Sequence, residues 1–147
     1  MSRITTWRHA RVLACGLGLA VWLPGHAPAA QPDAGQTARG LYLLRISGCN
    51  DCHTSGYAEN AGKTPTAAWL TGSPVGFNGP WGTTYPGNLR LYFQRMSEAQ
   101  WLQRARLPMR PPMPWFALRD MSESDLRAVY QAVRSLGAAG AEAPEFV

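Results

Sequence analysis

The chain is almost without lysine. Lys63 is the single one among 14 basic residues, so any positive docking surface has to be made of arginine. No basic run interleaved with aromatics occurs, which removes the usual signature of a nucleic-acid-binding module. Histidine and cysteine are also scarce, at three each. Long hydrophobic stretches are missing too. Val12–Leu23 (VLACGLGLAVWL) is apolar, but a membrane-spanning helix needs roughly 20 such residues.

What that short run does fit is an export leader. Arg3, Arg8 and Arg11 precede it, and the small residues Ala27, Ala29 and Ala30 follow, the order of a secretory signal peptide. Residues 1–30 are therefore expected to be cleaved, delivering a periplasmic protein that touches the membrane only if the leader is retained. Cys15 sits in a poor imitation of a lipoprotein signal, with Leu13 where a smaller residue is usual, and reads as an ordinary leader residue. Processing removes His9, His26 and Cys15, leaving His53, Cys49 and Cys52. It also removes three arginines, so the formal charge falls from +5 to +2. The basic balance of the full chain then argues for no acidic partner in particular.

The remainder reads as one domain, 31–141, followed by a flexible tail, 142–147. Asp33 is placed to cap a first helix with Gln36 answering it as in a capping box, and Ala38, Leu41, Tyr42 and Leu44 outline an apolar face. Between Thr54 and Leu89, Gly, Pro, Thr and Asn dominate, with no strand alternation or helical period. So long an irregular stretch inside a small domain calls for something other than secondary structure to order it. Ser97 starts a helix with Trp101, Leu102 and Ala105 on one face. Pro108, Pro111, Pro112 and Pro114 then impose an extended loop. Ser122 and Asp125 open a last helix, in which Leu126, Val129, Tyr130 and Val133 recur at helical spacing before Gly137 stops it. The expected class is all-α, with short helices and long loops.

The chemistry concentrates at Cys49-Asn50-Asp51-Cys52-His53, a C-x-x-C-H motif that reads as c-type haem attachment. Two thiols three positions apart can bond the two vinyl groups of one haem, and the adjoining imidazole then lies beneath the iron. Three other chemistries compete. A Cys49–Cys52 disulfide would leave His53 unexplained. A thioredoxin-like pair needs a preceding strand, whereas a helix precedes this one. A zinc site lacks a fourth Cys or His. For a haem iron held by His53, the second axial ligand has to be a methionine, since no second histidine outlasts the leader. Met96 and Met121 adjoin helix starts, where a packing role is ordinary. Met109 and Met113 lie in the proline loop (LPMRPPMPW), whose stiffness suits a weak thioether ligand. Met113, between two prolines, is the first choice and Met109 the alternative.

Three segments, RGLYLLRISGCNDCHT, AAWLTGSPVGFNGPWGTTYPGNLR and MPWFALRDMSESDLRAVYQAVRSLG, resemble the class I cytochromes c, and especially the monohaem subunits and partners of periplasmic dehydrogenases. The resemblance implies a class I cytochrome c fold wrapped around one haem. It implies a crossing of the first and last helices in which Gly40 faces Tyr130. It implies that the Pro80 carbonyl accepts a bond from the proximal imidazole, and that Trp81, Tyr85, Asn88 and Arg90 contact the haem propionates. The function expected is electron transfer rather than enzymatic catalysis, from a dehydrogenase to a downstream acceptor. The alternative is a haem enzyme or gas sensor with an open or labile sixth iron position.

Overall fold

A computed structural model describes residues 33–147. The expected leader, 1–30, lies outside them. The described chain is mostly helical: α1 Ala34–Ile46, α2 Cys49–His53, α3 Leu89–Gln94, α4 Glu98–Arg104, α5 Trp115–Asp120 and α6 Glu123–Leu136. No described helix is long and apolar enough to cross a membrane.

The expectation of an all-α chain needs one correction. Phe77–Gly79 (β1) and Gly82–Thr84 (β2) form an antiparallel hairpin, paired Phe77 to Thr84, Asn78 to Thr83 and Gly79 to Gly82. Pro80 and Trp81 make its two-residue loop. Strands of three residues are too short to display alternation, and their Gly and Pro residues advertise only a turn. Gly82 turns the corner at φ +100°, which a side chain would resist. Residues 142–147, expected as a flexible tail, carry no helix or strand. Val147 nonetheless accepts a backbone bond from Thr83 (2.6 Å) and donates one back (3.2 Å) on β2.

The core is built where α1 crosses α6, the largest helix–helix contact among the described residues. α6 buries Leu126, Ala128, Val129, Ala132 and Val133, the face the helical spacing predicted with two alanines added and Tyr130 only half-buried. α1 buries Leu44 as expected, with Gly40 and Leu43 beside it, while the expected Ala38 and Tyr42 are exposed and Leu41 is half-buried. Gly40 sets that rotation. A methyl group built on it would lie 2.6 Å from the Ala132 Cβ and closer still to the Ala128 carbonyl oxygen. The expected glycine crossing is therefore present, but its partners are Ala128 and Ala132. Tyr130 points elsewhere, donating its hydroxyl to the Met96 carbonyl (2.9 Å) and packing beside Phe93.

The helix ends follow from their caps. Ser97 and Gln100 satisfy one another's backbone in a complete capping box on α4. Ser122 accepts from Asp125 N at the start of α6, while the Asp125 carboxylate pairs with Arg39 of α1 (3.0 Å). At α1, Asp33 accepts from Gly35 N and Gln36 N. Gln36 does not answer it; its Oε1 is buried without a partner among the described residues.

Candidate functional site

α2 holds all three residues of the motif on little more than one helical turn. It starts from Gly48 in the left-handed region (φ +73°) directly after α1, so the α1–α6 crossing also positions Cys49, Cys52 and His53. Inside the turn, fully buried Asn50 donates Nδ2 to the Leu44 carbonyl (3.3 Å) and accepts from the Thr54 hydroxyl (2.6 Å). The same hydroxyl accepts from Leu70 N (2.8 Å). Next to it, Gly72 N donates to the His53 carbonyl (2.8 Å), and Thr54 and Gly72 form an isolated parallel bridge.

This backbone knot reaches on to residues 86–90. Ser73 N donates to the Pro86 carbonyl (3.2 Å), and the Leu70 carbonyl accepts from Leu89 N (3.0 Å) and Arg90 N (3.3 Å). Leu70 pays for its place with a φ of +62°, in the region that disfavours side chains. Thr54 is the hub. Thr54→Val, similar in shape, would leave the Leu70 N–H and Asn50 Oδ1 without partners in the interior. A loss of about 2–3 kcal/mol is expected, read from denaturant midpoints; a change under about 0.5 kcal/mol would show that the knot is not needed.

The result for His53 is a fixed ring. Its Nδ1 lies 2.8 Å from the Gly87 carbonyl oxygen, and a carbonyl can only accept, so Nδ1 carries the proton. Nε2 is then the nitrogen with a lone pair to give. Burial draws the His53 pKa down, partly opposed by the Gly87 bond, which favours the neutral ring a metal requires. The acceptor expected at Pro80 is thus supplied by Gly87. The described residues contain two Pro/Gly steps, Gly79-Pro80 and Pro86-Gly87, and the first is taken up by the hairpin loop.

The two cysteines are free and partly exposed. Burial pushes the Cys49 thiol up to about 11, with Asp51 and Cys52 adding to the rise, and the Cys52 thiol is raised by burial and then by Asp51. Both are protonated near neutral pH. A thioredoxin-like pair needs the opposite shift. Among the described residues no three His, Cys, Asp or Glu side chains are grouped to hold a metal ion.

The remaining predicted residues divide. Asn88 is occupied structurally: it caps α3 by accepting from Leu91 N (3.1 Å) and donates to the Ala139 (2.8 Å) and Ala141 (3.0 Å) carbonyls. Arg90 is occupied likewise, its guanidinium donating to the carbonyls of Gly137 (2.6 Å), Ala67 (2.8 Å) and Leu136. Both bind the residues at and after the end of α6 to the loop behind the site. Trp81 is exposed, with its indole over Gly79, and Tyr85 is half-buried against Gly76. Between Trp81 and Gly87, the Thr84 hydroxyl is buried with no partner among the described residues, as is Thr37 Oγ1 of α1.

Met109 and Met113 are both half-buried against the core, as are Met96 and Met121. Their loop is heavily tied. Met113 N donates to the Arg110 carbonyl (3.2 Å), and Trp115 N to the Met113 carbonyl (2.8 Å). Arg104 donates to the carbonyls of Leu107 and Pro108 (both 3.3 Å). Arg106 donates to those of Leu118, Arg119 and Met121.

Asn50, Thr54, Leu70, Gly72 and Gly87 had no part in the reading of the sequence. Only the i, i+4 spacing of Asn50 and Thr54 is a local signal; Gly87 lies 34 residues from His53. Comparison with known proteins returns no matching family model, no matching curated protein and no matching solved structure.

Proposed function

We propose that this chain is an exported monohaem c-type cytochrome that carries single electrons in the periplasm, taking them from a dehydrogenase and passing them to a downstream acceptor. One arrangement supports this above all others. Two neutral, partly buried thiols and an imidazole share one turn, and the imidazole is oriented through Nδ1 by the Gly87 carbonyl with Nε2 left over. The donor set fits a haem. A macrocycle brings its own four nitrogens, so the iron needs only two ligands from the chain, which suits a site without a third grouped His, Cys, Asp or Glu. The unpartnered Thr84 hydroxyl is suited to an acceptor from outside the chain, as a propionate is.

When bound, haem c supplies an iron that cycles between Fe(II) and Fe(III). Cys49 and Cys52 would tether it through thioethers. His53 would hold the iron from one side, its basicity raised by the bond to Gly87. Met113, or Met109 from the same loop, would hold the other side and raise the potential. With both protein ligands engaged the iron would have no place for a substrate, in keeping with a carrier rather than an enzyme. The crossing of α1 and α6 beside the C-x-x-C-H turn supports the class I cytochrome fold for the helical frame. The 1–30 leader supports export, a requirement for covalent haem attachment.

Protein made with a haem-attachment system should show a c-type reduced spectrum and retain haem through denaturing electrophoresis. Bare polypeptide mass would end the proposal. In the oxidised holoprotein, Met113→Ala should abolish the methionine–iron charge-transfer band. A band that persists would move the ligand to Met109, and rapid carbon monoxide binding by the unsubstituted protein would point to an open sixth position.

A further inference from the structure

The residues after α6 close on the loop that carries Met109 and Met113. Val147 exchanges two backbone bonds with Thr83 (2.6 and 3.2 Å), docking on the edge of β2 that β1 does not cover. Phe146 beside it packs on Gly82, where a side-chain carbon would meet the phenyl ring at 2.9 Å. The Arg110 guanidinium stands over that ring, 4.2 Å from its centre. Arg110 in turn belongs to the backbone-closed turn that ends at Met113 (3.2 Å). A continuous path thus runs from β2 through Val147, Phe146 and Arg110 to the methionine turn. Farther back, Glu142 pairs with Arg95 of the segment after α3, holding the start of the same stretch.

Two of these features are otherwise without purpose. Phe146 is 40% exposed and contributes nothing to the buried core. Among the described residues Arg110 has no carboxylate partner and, alone among Arg104, Arg106 and Arg110, makes no hydrogen bond through its side chain. A cation over an aromatic face is attractive by itself, and here it joins two segments that no helix joins.

We propose that Phe146, docked on β2 and covered by Arg110, acts as a strap that holds the 108–114 loop closed and so keeps the methionine sulfur on the haem iron. Phe146 and Arg110 are positioning residues that touch neither the iron nor its ligands. The proposal rests on the haem reading above and assigns to Phe146 and Arg110 control over how readily the sixth ligand lets go.

Ferric holoprotein bearing Arg110→Gln should bind cyanide about fivefold faster than the unsubstituted protein, and Phe146→Ala about tenfold faster, on the scale of an exposed cation–π contact with and without its ring. In both, the methionine–iron band should weaken while haem content stays at one per chain. Phe146→Tyr, which keeps a ring under the guanidinium, should restore both. The global unfolding midpoint should move little, because neither side chain is in the core. Full haem content with an unchanged band and cyanide rate would overturn the strap and leave the haem reading standing. Should Phe146→Ala fail to accumulate, Arg110→Gln alone decides, with Arg110→Lys expected to lie between it and the unsubstituted protein. Unsubstituted protein lacking covalent haem would overturn both.

Discussion

Gly40→Ala is expected to lower the unfolding midpoint by about 8 °C, against the usual benefit of that change in a helix. Alanine gains about 1 kcal/mol over glycine in helix propensity. The new methyl would lie 2.6 Å from the Ala132 Cβ, with the Ala128 carbonyl nearer still. The carbonyl cannot rotate away, so the helices themselves must separate. Overpacking of this kind costs about 3 kcal/mol, leaving a net loss of about 2 kcal/mol, and each kcal/mol moves the midpoint of a domain this size by about 4 °C. Valine would enlarge the clash and lacks alanine's gain in propensity, so Gly40→Val should leave little folded protein. Thermal melts of the holoprotein decide it. A higher midpoint for the alanine variant would mean that the two helices cross elsewhere.

The second large effect follows from removing the tethers. Cys49→Ala/Cys52→Ala, produced with the same haem-attachment system, should carry no covalent haem and lose its cooperative transition. The buried apolar set is small and comes mainly from α1, α3, α4 and α6, while the irregular segment from Thr54 to Asn88 contributes chiefly Tyr57, Trp69 and Leu70. Native domains are stable by only about 5–15 kcal/mol. Even a dissociable ligand at a thousand times its Kd contributes about 4 kcal/mol of that. Circular dichroism and a melting curve suffice as the measurement. A sharp transition in the haem-free variant would show that the polypeptide core is sufficient without the macrocycle.

Much of the frame was legible in the sequence because it is local. The α6 face, the Ser97 and Ser122 caps and the Gly137 stop each depend on residues within a few positions, and all appear where expected. C-x-x-C-H is local in the same sense, and one helical turn does bring its three side chains together. Interactions between distant residues were not legible. Gly40 was recognised as a crossing point, yet the residue opposite it depends on the rotation of both helices, and Ala128 and Ala132 took the place of Tyr130. The acceptor for His53 depends on how the chain between them folds back, which Thr54 and Gly72 decide through backbone bonds that have no side-chain signature. Asn88 and Arg90 are polar residues whose donors reach the carbonyls of 67, 136, 137, 139 and 141, partners too far along the chain for the sequence to show.

The scarcity of lysine has its counterpart in those carbonyls. Arg90, Arg106 and Arg134 use their guanidinium groups on main-chain oxygens of other segments, a task for which a planar fork of five N–H donors suits arginine far better than lysine. A peptide oxygen takes up no proton in ordinary water, and a guanidinium keeps its charge in proteins. Stitches of this kind keep their strength when the surroundings turn sour, whereas a carboxylate bridge fades below about pH 4.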